Sequence, residues 1–384
     1  MKYIPRKLIP PKGSYFLFGP RGTGKSTWLI HHYPSAMRID LLLGEEERRF
    51  HSYPERLREV VQAMSTDTTL ILDEIQRVPR LLPEIHALIE EKRGIQFIMT
   101  GSSSRKLRRT MADLLGGRAL LRRMGPFFAS ELKEKFSLEK ALRVGLIPLI
   151  WESSDPGERL RHYINLYLKE EVQAEGLVRQ LGDFARFLEV ASFSYGSVWT
   201  STDIGREANV KRATVDNYLQ ILEDLFLAFT IPVFMRRAKR KVIAHPKFYF
   251  FDVGVYRALR PRGILDSEEE IDGFALEGLV AQHLRGWVQG QVEPHTLSFW
   301  RTQTKLEVDF VVYGPKGFWA IEVKRSPNLG PDDVRGLSAF KEEYPEAECC
   351  IVSLSKRREE YRGFPIIPMN EFLLGIDPTA QRLF

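Results

Sequence analysis

Short apolar runs alternate with helical patterns from Ser14 to about Arg123. Ser14-Tyr15-Phe16-Leu17-Phe18 reads as a strand running into a glycine-rich loop, and Thr69-Leu70-Ile71-Leu72 and Gln96-Phe97-Ile98-Met99-Thr100 read as two more. Runs this short and this apolar predict strands buried on both faces. Strand–helix alternation predicts a parallel sheet with covering helices. From about Gly125 to Ile243 the pattern is mainly helical, through Arg159–Leu177, Phe184–Phe193 and Thr214–Phe229, and Pro232 begins a return to extended structure. Strands resume at Lys247-Phe248-Tyr249-Phe250-Phe251, a helix pattern covers Ile271–Val288, and Ser298–Arg301, Glu307–Val312 and Phe318–Val323 are short strands. Gly314-Pro315-Lys316-Gly317 joins the last two in a predicted hairpin.

The chain has 384 residues, room for several domains of roughly 100–200 residues each. Its 43% hydrophobic and 28% charged content marks a globular protein. A formal net charge of +6 permits a polyanionic partner without demanding one. The cysteines, Cys349 and Cys350, are adjacent and would point to opposite faces of a strand. That excludes a disulfide framework or a four-thiolate zinc site. Met1 to Pro11 lacks a signal-peptide core, and no apolar run reaches the roughly 18 residues of a membrane span. The expected location is the cytoplasm, away from membranes.

Gly19-Pro20-Arg21-Gly22-Thr23-Gly24-Lys25-Ser26 satisfies GxxxxGK(S/T) between a predicted strand and a predicted helix, Ser26 to His32, the setting this motif needs. Its glycines let the backbone curl until N–H groups face phosphate oxygens, and the helix N-terminus adds positive potential. These eight residues and Thr27 are the candidate nucleotide-binding set. Lys25 would neutralise β- and γ-phosphate charge, and Ser26 would ligate Mg²⁺. Asp73, ending the strand Leu70-Ile71-Leu72, would hold the Mg²⁺ shell, and Glu74 would orient and deprotonate the attacking water. The plainer alternative is a pair of solvated acids at a strand end. Ser102, in Thr100-Gly101-Ser102-Ser103-Ser104, is placed to bond the γ-phosphate or the water, unless the segment is an ordinary turn. Arg118, after Gly116-Gly117, is a candidate arginine finger acting in trans, against the reading of a surface arginine. The order of these segments resembles that of AAA+ ATPases.

Thr202 to Val210 reads as a short helix and turn, and Lys211 starts a longer helix with Val215, Leu219, Leu222 and Leu225 on one face. Lys211, Arg212, Thr214 and Asn217 lie toward its exposed start. This resembles the helix-turn-helix of a winged-helix domain, whose second helix enters the DNA major groove. Arg236, Arg237, Arg240 and Lys241 follow where a wing would touch phosphate. The competing reading is a protein-packing helical domain with a solvated basic strand.

Asp309 lies on one strand of the predicted hairpin, and Glu322 and Lys324 share a face of the other. Two carboxylates can hold Mg²⁺ or Mn²⁺, and a nearby lysine can assist the attacking water or stabilise phosphate charge. Glu277, on the preceding helix, would complete the shell. The set resembles the PD-(D/E)XK nucleases, with Glu277 as helix acid, Asp309 as hairpin acid, Glu322 as second acid and Lys324 as lysine, although Val308 stands where that motif has proline. The bland reading is a surface hairpin carrying charges.

The whole order of parts resembles prokaryotic AAA-type ATPases with a C-terminal domain of unknown function, DUF4143. The likeness rests on Phe18–Thr27, Leu70–Gln76, Thr100–Ser104, Gly116–Arg118, Gly145–Pro148, Lys247–Gly254, Glu277–Gly278, Trp300–Phe310 and Ile321–Lys324. It implies an α/β chain: a P-loop parallel-sheet ATPase core at 1–125, a helical lid or connector at 126–180, a winged-helix-like domain at 181–243 and a nuclease-like domain at 244–384. The implied function is an ATP-hydrolysing, DNA-binding homo-oligomer coupled to a metal-dependent nuclease. The rival is a nucleotide-switched DNA-binding regulator or scaffold with an inert nuclease fold. A small-molecule kinase would use the P-loop alone, and the Asp73-Glu74 pair speaks against it.

Overall fold

Alternate residues of the central N-terminal strands fill opposite faces of one sheet. The computed structural model describes residues 3–105, 107, 119–168, 181–235, 245–264 and 266–383, with backbone only at 166–168. Strands β1 (Tyr15–Phe18), β2 (Met37–Asp40), β3 (Thr69–Asp73), β4 (Gln96–Gly101) and β5 (Leu120–Arg123) form a sheet in the order β2-β3-β4-β1-β5. Every pairing in it is parallel. Phe16, Phe18, Leu70, Leu72, Phe97 and Met99 join one core with Phe50, Leu57 and Ile85. Tyr15, Leu17, Ile71 and Ile98 join the other with Trp28 and Leu29. Each fully buried side chain of this size contributes about 1.5–3 kcal/mol, and this two-sided burial is why β1, β3 and β4 are continuous apolar runs. Helix α1 (Lys25–His32) follows the loop after β1. The unit is Leu8–Gly125 together with Glu223–Phe226. Phe226 belongs to its core, with its ring stacked 5.9 Å from that of Phe18.

The second unit is Met1–Lys7 with Pro126–Leu222 and Leu227–Phe384. Its middle part is helical, including Leu181–Phe193, Ser201–Glu207 and Arg212–Asp224, followed by the antiparallel pair β6 (Ala228–Ile231) and β7 (Lys247–Phe250). The expected helix Thr214–Phe229 therefore stops short, and extended structure begins before Pro232. Phe226 adopts a left-handed φ of 60°, which breaks the helix, and the unbroken run Leu225–Phe229 gives no period to warn of it. Within Arg159–Leu177 a helix over Pro156–His162 passes into a π-helical turn, Tyr163–Leu168, and the remainder lies outside the described residues.

A six-stranded sheet closes the chain in the order β12-β13-β11-β10-β9-β8. Its strands are β8 (Thr296–Arg301), β9 (Glu307–Gly314), β10 (Gly317–Lys324), β11 (Glu348–Ser353), β12 (Glu359–Tyr361) and β13 (Phe364–Pro368). Gly314 pairs with Gly317, so the hairpin turns where expected. Helix Arg335–Glu343 covers one face through Leu337 and Phe340. The long helix Glu268–Gly290 packs against β10, where Trp287 meets Trp319 edge-on at 5.8 Å. Cys349 and Cys350 lie on β11 as free thiols.

Candidate functional site

The parallel sheet gathers the carboxyl ends of β1, β3 and β4, where open α/β sheets bind ligands. The loop after β1 reaches α1 through Gly24, whose left-handed φ of 85° a side chain would strain. Gly19 is required for a different reason: a Cβ there would stand 2.0 Å from the Met124 carbonyl oxygen. Thr23 Oγ1 donates to the Pro20 carbonyl at 2.8 Å. The buried Lys25 Nζ donates to the carbonyls of Gly19 at 2.7 Å and Pro20 at 3.1 Å. Ser26 Oγ donates to Asp73 Oδ2 at 2.9 Å, joining the start of α1 to the end of β3.

Thr100, on β4, donates to Asp73 Oδ1 and accepts from the Glu74 N–H at 3.2 Å. Glu74 follows β3 with a left-handed φ of 58° and is buried. Its Oε2 accepts from Gln76 Nε2 and from Ser102 Oγ at 3.1 Å, and Gln76 Nε2 also reaches Ser102 Oγ at 3.2 Å. Lys25, Ser26, Asp73, Glu74 and Ser102 are thus brought to one end of the sheet. Gln76 and Thr100 are site residues that the sequence reading did not single out. Gln76 sits two positions beyond Glu74, a spacing that becomes a contact only because the chain turns left-handed at Glu74. Arg118 lies outside the described residues.

A second polar cluster forms between β7, the long helix and the C-terminal hairpin. Lys247, which opens β7, is buried with its Nζ 3.1 Å from Glu277 Oε1, 2.5 Å from Glu307 Oε1 and 3.5 Å from Asp309 Oδ1. Tyr249 donates to Glu277 Oε1 at 2.6 Å, and the Val323 N–H donates to Asp309 Oδ2 at 2.9 Å. Glu322 Oε1 pairs with Lys324 Nζ at 2.8 Å, and its Oε2 is buried with no partner among the described residues. Burial pushes Glu277 up to about 7 against the pull of Lys247. Burial and the Asp309 charge push Glu322 up to about 8. Burial alone would lower the Lys247 value, but Glu277, Asp309 and Glu307 outweigh it and hold the ammonium charged. The expected four residues do converge, but the space between Glu277 and Asp309 holds a nitrogen that donates to both. A divalent cation does not fit the set as it stands. Lys247, Glu307 and Tyr249 are the members that spacing did not reveal.

The helices Ser201–Glu207 and Arg212–Asp224 are joined by a tight turn in which Asn209 has a φ of 54°. Val215, Leu222 and Leu225 are buried, and Leu219 is half-buried. Lys211, Arg212 and Asn217 are exposed and Thr214 is half-buried. Arg236, Arg237, Arg240 and Lys241 lie outside the described residues.

Residues 12–133 match the family model described as an AAA domain. Residues 135–266 and 272–372 match two domains of unknown function, DUF8612 and DUF4143. The AAA match and the phosphate-loop sequence together support a P-loop ATPase. Among particular relatives, an uncharacterized protein of Mycobacterium tuberculosis is 24% identical over 380 residues, 96% of this chain and 80% of that protein. An uncharacterized protein of Methanocaldococcus jannaschii is 27% identical over 339 residues, covering 80% and 74% of the two chains. A solved replication initiator DnaA bound to AMPPCP and single-stranded DNA shares 15% identity, with 55% of this chain and 82% of that one covered at a TM-score of 0.26. A likeness of that depth defines neither fold nor function. Among the described residues no helix is long and apolar enough to cross a membrane.

Proposed function

We propose that the chain hydrolyses ATP and uses its nucleotide state to govern DNA binding through the helix-turn-helix. In this reading Lys25 leaves the Gly19 and Pro20 carbonyls for the β- and γ-phosphates when ATP arrives. The backbone N–H groups of Gly19 to Ser26, with Thr27, cradle the phosphates. Ser26 and Asp73 would hold the Mg²⁺ that accompanies ATP, because hydroxyl and carboxylate oxygens suit a hard cation. Glu74 takes the proton of the attacking water, and Ser102 links its carboxylate to the γ-phosphate position. The observation that carries the reading is the Ser26–Asp73 bond at 2.9 Å beside a buried Glu74. Phosphate release with Mg²⁺ and ATP tests it, measured for the wild type, Lys25→Ala and Glu74→Gln. Nucleotide affinity should fall in Lys25→Ala and turnover in Glu74→Gln. Equal turnover in all three would end the assignment.

Homo-oligomers are part of the proposal, since AAA-type sites often lie at subunit interfaces and Arg118 would then act in trans. Lys211, Arg212, Thr214 and Asn217 would face the DNA, with Arg236, Arg237, Arg240 and Lys241 on its phosphates. For the C-terminal domain the inert, scaffolding reading is favoured over a Mg²⁺- or Mn²⁺-dependent nuclease, because Lys247 stands among its acids. Incubation of plasmid DNA with either metal should leave it uncut. Nicking that Lys324→Ala abolishes would restore the nuclease.

A further inference from the structure

We infer that the Lys247 ammonium is a built-in replacement for the divalent cation of the C-terminal acidic cluster. The inference rests on reading Glu277, Asp309, Glu322 and Lys324 as a nuclease-like arrangement. Three carboxylate oxygens, from Glu277, Glu307 and Asp309, lie 3.1, 2.5 and 3.5 Å from the Lys247 nitrogen. An ammonium has three N–H donors, so the match is one to one. Mg²⁺ needs about six oxygens at roughly 2.0–2.1 Å, and the nitrogen occupies the centre from which they would be reached. Two of these carboxylates are held further: the Tyr249 hydroxyl donates to Glu277 and the Val323 N–H donates to Asp309. The lysine is enclosed. Its side chain is 3% exposed, and its charge lies 5.5 Å from the Phe299 ring centre.

The replacement is also an ionic joint. Lys247 belongs to the segment matched by DUF8612, whereas Glu277, Glu307 and Asp309 belong to the segment matched by DUF4143. An ion delivered from solution is thereby exchanged for a charge carried on the neighbouring strand. The cluster needs no metal to fold, and no metal can occupy it while the lysine is present.

Mn²⁺ binding to the nucleotide-free full chain, followed by the loss of the free-ion electron paramagnetic resonance signal, tests this. Wild type and Asp309→Asn should bind the same amount. Lys247→Ala should gain about one equivalent of Mn²⁺ per chain, by removing the occupant of the acidic centre, and Lys247→Ala/Asp309→Asn should lose it again. A wild-type site removed by Asp309→Asn overturns the inference, as does a folded Lys247→Ala chain with no added Mn²⁺. If Lys247→Ala fails to fold, Lys247→Met keeps the aliphatic stem and serves in its place, and the comparison of wild type with Asp309→Asn still decides. Plasmid nicking and phosphate release on the same samples report separately on the nuclease-like and ATPase readings.

Discussion

At the residue scale, two buried side chains make distinct predictions. Glu74 is tied by Gln76 and Ser102, so Glu74→Gln keeps the shape of the site and removes the proposed base. Turnover should fall ~10²–10⁴-fold while ATP affinity stays within a few fold, as measured by phosphate release and equilibrium titration. His283 is buried, and burial lowers its pKa from 6.5 to about 4. Its Nε2 accepts from the Ala129 N–H at 3.0 Å, which requires a neutral ring, with Nδ1 facing the Leu279 carbonyl at 2.8 Å. The unfolded chain therefore binds the proton first as pH falls. The stability this neutral ring contributes is complete above the unfolded value of 6.5 and is lost on descent toward 4. The loss is about 3 kcal/mol for one such group. Chemical denaturation at several pH values should show this slope, and His283→Gln should flatten it. Lys25 and Ser26 were legible as candidates because their motif fixes residue type and spacing together, whereas Asp73, Glu74 and Ser102 could be read only as polar residues at the ends of apolar strands. Gln76 and Lys247 were not legible, since each acts through a contact that only the turn at Glu74 or the folding of β7 against the long helix creates.

At the element scale, strands were the readable features. The three that were expected in the parallel sheet, β1, β3 and β4, have apolar residues on both faces and lie within a residue or so of their expected bounds, whereas β2 and β5, largely exposed, carry no such signal. The helix Arg212–Asp224 was overrun because Leu225–Phe229 is apolar at every position, so neither a 2- nor a 3.6-residue period stands out. The same helix carries Lys211 and Arg212 at an exposed start. Lys211→Glu/Arg212→Glu should leave thermal stability within about 0.5 kcal/mol and weaken duplex binding in a gel shift. Unchanged binding would assign this helix to packing instead. Leu222 is fully buried, and Leu222→Ala should cost about 2–5 kcal/mol, read by denaturant titration.

At the scale of the whole molecule, the phosphate-binding unit is not one stretch of chain. Glu223–Phe226 returns to it from far along the sequence. The Ser104 N–H donates to the Asp224 carbonyl at 3.1 Å, and the Arg123 guanidinium lies 5.6 Å from the Phe226 ring centre. Phe226→Ala in the full chain should lower stability by about 3–5 kcal/mol, seen as a drop in Tm. It follows that a recombinant piece ending near Gly125 would carry every phosphate-binding side chain and still be missing a wall. Its Phe18 ring would meet water where an aromatic neighbour belongs, and weak nucleotide binding by such a piece would speak of an incomplete body rather than of a wrong active site.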